Sequence, residues 1–435
     1  MSGPRLRKPP LVLLLAIALI GSAAVAGFAL TRPLDTDPVA VAAIQDPLAA
    51  EIDRRRERLN RLPDNAIGWA ELGTAYVELA RITADPTHYG QAQRALDRSI
   101  QLRPTDNAEA LTGFGVLSNA LHNFAAARRY AEQSLALRPD DAATYGVLAD
   151  AQTQLGVADA ATAAIQRMLE LRPGVASFTR AAYDFELHGQ VDAARQALDL
   201  ALAAAATADQ SAFCRYHLGE LAFHSGQLDE AETQYRAGLS AAPTHAALQQ
   251  GMAKVAAARG DIDQAIARYT ELTTRTPSPE YLIEFGELLQ TVGRAEAAAA
   301  MYQAVSERIA RLEAQGATEY LDAALLAADH GDPAEAVRLA ELEYSRRQSV
   351  LTADVLAWAL HKAGRHTEAL TYADRAATLG WRNATLAYRR GMILAALGRP
   401  DEAITALADA LGINPYFSPL HVPIARRTLS ELQVR

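Results

Sequence analysis

The chain has 435 residues, half of them hydrophobic, with 42 Lys and Arg against 51 Asp and Glu and a formal net charge of −9. So acidic a body argues against nonspecific nucleic-acid binding, which needs clustered Lys and Arg, and the single cysteine, Cys214, excludes an intrachain disulfide. Length alone suggests two or three domains, but a periodic pattern over most of the chain points to one elongated unit.

In chain order, Arg5, Arg7 and Lys8 come first, followed by the uncharged run Leu11 to Leu30. A basic flank before an apolar run reads as a signal peptide or transmembrane signal anchor over residues 1–30. About twenty apolar residues suffice to span a bilayer, and Ala24-Val25-Ala26 offers a small-residue cleavage site. The uncleaved anchor is the favoured alternative. The expectation is a single-pass membrane protein, touching the membrane through residues 11–30, with an extracytoplasmic carboxy-terminal domain. Cleavage would make it a secreted one. Residues 31–50, with Pro33, Pro38 and Pro47, read as a linker, and 51–65 as a lead-in helix.

From residue 66 to 415 one phrase recurs. Gly226, Ala231, Tyr235 and Pro243 are repeated as Gly260, Ala265, Tyr269 and Pro277, each displaced by 34 residues. Ten copies begin at Ala66, Ala108, Ala142, Val175, Ala212, Ala246, Pro279, Ala317, Val350 and Ala384. The eighth place is always small: Gly73, Gly115, Ala149, Ala182, Gly219, Ala253, Gly286, Ala324, Ala357 and Gly391. The twentieth is always Ala, from Ala92 to Ala403. Small residues there let two helices approach closely, and bulkier ones such as Ile165, Leu198, Tyr235, Tyr269 and Tyr302 fill the adjoining hole. Glycines such as Gly156, Gly189 and Gly226 suit the bend between helices, and Pro104, Pro139, Pro173, Pro243, Pro277 and Pro415 end the second helix.

These residues, with Trp69, Leu72, Gly73 and Tyr76 opening the first copy, resemble the tetratricopeptide repeat (TPR) family. The resemblance implies an all-α fold, a right-handed α-solenoid of about ten helix–turn–helix repeats. Extra residues from Thr83 to Tyr89 predict a lengthened turn in repeat one, and the Ala-rich stretch 201–206 predicts a long second helix in repeat four. Residues 416–435 are expected to cap the last repeat.

The sequence carries no His-Glu-x-x-His, Cys-x-x-Cys, phosphate loop or Gly-x-Ser-x-Gly. His217, Glu220 and His224 form the nearest metal-like grouping, but they read better as ordinary groove or surface residues. His361 and His366 read as solvent-exposed. No enzyme activity, metal or cofactor is expected, and Cys214 reads as a small buried hydrophobe.

The resemblance implies that proteins or peptides bind the concave face lined by the first helix of each repeat. Carried over residue by residue, the partner-binding candidates are Tyr183, Glu186, Phe213, Tyr216, Glu220, Phe223, His224, Gln250, Lys254, Glu287 and Gln290. Asp354, Trp358, His361 and Lys362 follow in repeat nine. Aromatic groups beside polar ones give a peptide groove its anchors and its orienting hydrogen bonds. The Lys, Asn and Arg set that clamps acidic carboxy termini in chaperone-binding relatives is missing. A non-catalytic membrane-tethered scaffold on the extracytoplasmic side is the leading expectation, with envelope biogenesis or export as its setting by analogy. The alternative is a secreted or anchored chaperone or accessory subunit that presents substrates to an enzyme.

Overall fold

The computed structural model describes residues 47–83, 85–314 and 320–434. Among the described residues it has twenty-two helices and no strand. The first helix, Pro47–Arg61, precedes ten antiparallel hairpins, and His421–Gln433 follows them. Stacked hairpins make the right-handed α-solenoid that the repeats predict.

The repeat residues explain why the helices pack as they do. At the twentieth place Ala92, Ala127, Ala194, Ala231 and Ala403 are fully buried. A Cβ added to Gly219 would lie 2.3 Å from the Tyr235 ring, and one added to Gly73 would lie 2.7 Å from Leu96 Cγ. The small eighth residue is therefore the space that the bulky residue opposite occupies. Burying a side chain such as Tyr235 or Leu96 stabilises the fold by about 1.5–3 kcal/mol relative to exposure. Many first helices are capped by a side chain: Asn107, Asp141, Thr207, Ser278, Ser349 and Asn383 each accept a backbone N–H of the first turn. A cap of this kind contributes about 1 kcal/mol.

Some expectations are corrected. In repeat one the extra residues mostly extend the helices, Ala66–Thr83 and Thr87–Leu102, because an amphipathic helix buries more per residue than a turn. In repeat four the second helix stops at Ala203, and the following first helix is the long one, Ala208–His224. Thr207 accepts the Gln210 N–H and so starts that helix a turn early. The imidazoles of His361 and His366 are half-buried with ring centroids 4.9 Å apart, not solvent-exposed.

The membrane location is also corrected. Among the described residues no helix is long and apolar enough to cross a membrane. Even the longest, Ala295–Ala314, carries Glu296, Glu307, Arg308 and Arg311. The run 11–30 and most of the linker 31–50 lie outside the described residues.

The solenoid winds far enough to meet itself. Gly156, in the turn of repeat three, faces the backbone carbonyl of Gln348 between repeats eight and nine. Gly189 of repeat four faces Gly380, and Gly226 of repeat five faces Asn414 and Pro415, so the register advances one repeat at a time. Arg347 Nη1 donates to Gln154 Oε1 at 3.1 Å, and its guanidinium lies 5.9 Å from the Phe124 ring centroid. The first helices of the middle repeats thus line the inside of a closed turn.

Candidate functional site

Repeats four to six bring Glu186, Glu220, His224 and Lys254 together on the inner wall. Lys254 Nζ donates to both Glu220 oxygens, at 2.8 and 2.7 Å, and Tyr235 OH donates to Glu220 Oε1 at 2.5 Å. His224 lies 3.8 Å from Glu186 and 3.7 Å from Glu220. Burial opposes the Glu220 charge, but Lys254 and His224 outweigh it and hold this carboxyl below its usual range. Burial likewise opposes a charged His224, and the two carboxylates overcome it, raising the imidazole.

One repeat further on, the balance reverses. Gln250, only 1% exposed, donates its Nε2 to Glu280 Oε1 at 3.0 Å and to Glu284 Oε2 at 2.9 Å. Tyr269 OH also donates to Glu284 Oε2, at 3.0 Å. Burial raises both carboxyls, and Glu284 is pushed up to about 7, with Glu280 adding to the rise and Lys254 opposing it. Asp322 of repeat eight is also pushed up to about 7, by burial and then by Glu280. These side chains are half-buried rather than sealed.

The raised carboxyl has a consequence for stability. Between pH 4.5 and 7 the unfolded chain releases the Glu284 proton while the folded chain keeps it, so folding weakens as pH rises through that window. Glu284→Gln keeps the acceptor for Gln250 and Tyr269 but cannot ionise. It is expected to raise the melting temperature at pH 8 by about 1 °C, as for a gain of about 1 kcal/mol in a chain this long, and to change little at pH 5. An equal effect at both pH values, measured by thermal circular dichroism, would show that the carboxyl titrates normally.

A third group lies at repeats eight to ten and the helix that follows them. Asp329 accepts the Trp358 Nε1–H at 3.0 Å and Lys362 Nζ at 3.2 Å, with His421 Nε2 3.6 Å away. Burial would raise this carboxyl, but His421, Arg389 and Lys362 hold it far below the usual range. Asp354 pairs with Arg389 in the core, and that guanidinium lies over Trp358, 5.5 Å from a ring centroid.

The sequence candidates fall into different places. Glu186, Glu220, His224 and Lys254 meet, while Gln250 joins the separate Glu280–Glu284 pair. Tyr183, Phe213 and Tyr216 are half-buried and pack partly on the core, and Phe223 is core, with Lys254 Nζ 5.0 Å from its ring centroid. Glu287 and Gln290 stand apart: Glu287 lies 3.8 Å from His330, and the exposed Gln290 accepts from Tyr302 OH at 3.0 Å. Asp354 and Trp358 are buried, and Asp354 is a structural ion-pair partner. Sequence reasoning missed Glu280, Glu284, Asp322 and Asp329. Glu280 and Asp329 sit at the second and thirteenth places of their repeats, which with the fifth, ninth and twelfth are the places the resemblance assigns to the concave face, so their spacing was available. Glu284 and Asp322 both hold the sixth place, which the groove positions omit. Among the described residues no trio of His, Cys, Asp or Glu is placed to hold a metal ion, and Cys214 is buried.

Two family models described as tetratricopeptide repeat match residues 222–283 and 355–416, so the chain carries such repeats. Proteins built from them typically bind proteins or peptides and are in general non-catalytic scaffolds. No curated protein matches the chain. Among solved structures, a tetratricopeptide repeat protein from Parabacteroides merdae is 19% identical, over 58% of this chain and 96% of that one, with a TM-score of 0.35. Yeast Tom70 is 15% identical, over 89% and 85% of the two chains, with a TM-score of 0.37. The human IFIT1 dimer with m7Gppp-AAAA is 15% identical, over 76% of each chain, with a TM-score of 0.49. At such identities and scores they carry no argument about partners.

Proposed function

We propose that the chain is a non-catalytic scaffold that takes an extended protein segment along the inner wall of its superhelix, at repeats five to eight. The observation that carries this reading is the run of polar side chains on successive first helices, in two hydrogen-bonded sets, Glu220 with Lys254 and Gln250 with Glu280 and Glu284. Half-buried aromatics such as Tyr216 lie beside them and offer a bound segment apolar area at low entropic cost. The enclosure favours an extended segment over a folded domain, because a domain needs a broad open face.

A photo-crosslinking amino acid placed at Tyr216 or Gln290 tests the reading against controls at Leu137 and Leu200, exposed on second helices. Discrete protein adducts from the first two positions and none from the controls are expected. Adducts only from Leu137 and Leu200 would move binding to the outer face and overturn the proposal.

A further inference from the structure

We propose that the segment bound in this groove is basic, and that it lays an arginine or lysine side chain against Glu280 and Glu284. The inference rests on the groove reading above and adds the chemistry of the partner.

Charge is the first argument. Glu186, Glu220, Glu280, Glu284 and Asp322 bring five carboxylates to this stretch of the inner wall, and Lys254 is committed to Glu220 through both oxygens. Glu280 and Glu284 are one helical turn apart on one face, where like charges repel. In place of a cation they share the neutral amide of Gln250. Burial raises both carboxyls, and Lys254, held by both oxygens of Glu220, only partly offsets that rise.

The second argument is independent of charge. With Nε2 turned to the two carboxylates, Gln250 leaves its Oε1 buried with no hydrogen-bond donor. An unmatched buried acceptor costs about 1–3 kcal/mol, and a side chain that donates restores it. A guanidinium carries five donors in a planar fork, enough to serve both carboxylates and the amide oxygen together. Neither other class of segment fits. An acidic one would add like charge, and an apolar one would strip water from the carboxylates without pairing them.

The test uses the full-length chain and fluorescein-labelled peptides of equal length in which every third residue is arginine, glutamate or leucine. Binding is read by anisotropy. The arginine probe is expected to bind at least about tenfold more tightly than the glutamate probe, as complementary charge allows. Glu280→Gln with Glu284→Gln should cost it about tenfold or more, because charge-assisted bonds become neutral ones. Glu57→Gln with Glu296→Gln removes the same net charge from exposed sites on other helices. That control should leave affinity within about twofold, as expected for screened distant charges. Equal losses in both pairs would reduce the effect to overall charge and overturn the proposal. So would arginine binding unchanged by the Glu280 and Glu284 substitutions. Tighter binding of the glutamate or leucine probe would also refute a basic partner, and if crosslinking from Tyr216 persisted the groove reading would stand. Glutamine matches glutamate in size, and a melting curve compared with that of the parent chain confirms that the variant is folded.

Discussion

Asp354→Ala is expected to lower the unfolding free energy of the carboxy-terminal repeats by about 3–5 kcal/mol, the usual cost of removing one member of a buried ion pair. The side chains of Asp354 and Arg389 are only 3% and 9% exposed. Arg389 Nε has no hydrogen-bond partner, so the guanidinium depends on Asp354 and on its stacking over Trp358. Burial pushes the Asp354 carboxyl up even though the Arg389 guanidinium beside it acts to lower it. The residues lie in repeats nine and ten, and a solenoid distributes stability through nearest-neighbour interfaces. Hydrogen exchange should therefore speed up first between Val350 and Ile413, with the amino-terminal repeats little changed. Replacing both partners, Asp354→Leu with Arg389→Met, should recover most of the loss, since an apolar pair of similar volume is often neutral. If the double variant were as unstable as Asp354→Ala, the pair would be contributing net stability.

Local spacing made much of this fold legible, and accumulated geometry hid the rest. The Ala at the twentieth place and the small residue at the eighth are consequences of one helix hairpin, and a hairpin is contained in each repeat. The inner-wall positions follow from the same period, which is how Glu220, His224 and Lys254 were identified together. Glu284 and Asp322 were not, because the sixth place lies outside the places the resemblance assigns to the concave face. Closure depends on small rotations summed across five repeats, and no single repeat encodes that sum. Gly156 and Gln348 are 192 positions apart (348 − 156), so their meeting has no local signal. The insertion in repeat one erred for another reason: Thr-Ala-Asp-Pro reads as turn chemistry, yet the flanking residues extend helices that have core to bury.

Closure itself has a direct test in two glycines of the same turn type. Gly156 has φ +73° and Gly293 has φ +79°, so alanine at either pays about 1 kcal/mol for a left-handed backbone. At Gly293 an added Cβ meets nothing within 4 Å, whereas at Gly156 it would lie 2.2 Å from the Gln348 carbonyl oxygen. That oxygen belongs to backbone and cannot swing aside. Relief requires the two runs of repeats to separate, which strains the Arg347–Gln154 hydrogen bond and the Gly189–Gly380 approach. Gly156→Ala is thus expected to cost a further 1–3 kcal/mol or so, as overpacking does, and to increase the radius of gyration measured by small-angle scattering. Gly293→Ala should leave the radius unchanged. The groove supplies a second readout. Asp322 owes its high carboxyl, about 7, first to burial, and it lies within the influence of Arg347 and Glu343 at the closure. Opening the turn admits water there, so the Asp322 carboxyl should titrate closer to the ordinary range in Gly156→Ala than in Gly293→Ala. If the two variants matched in stability, radius and titration, the contact between turns would be incidental, and the acidity of the groove would have to come from the first helices alone.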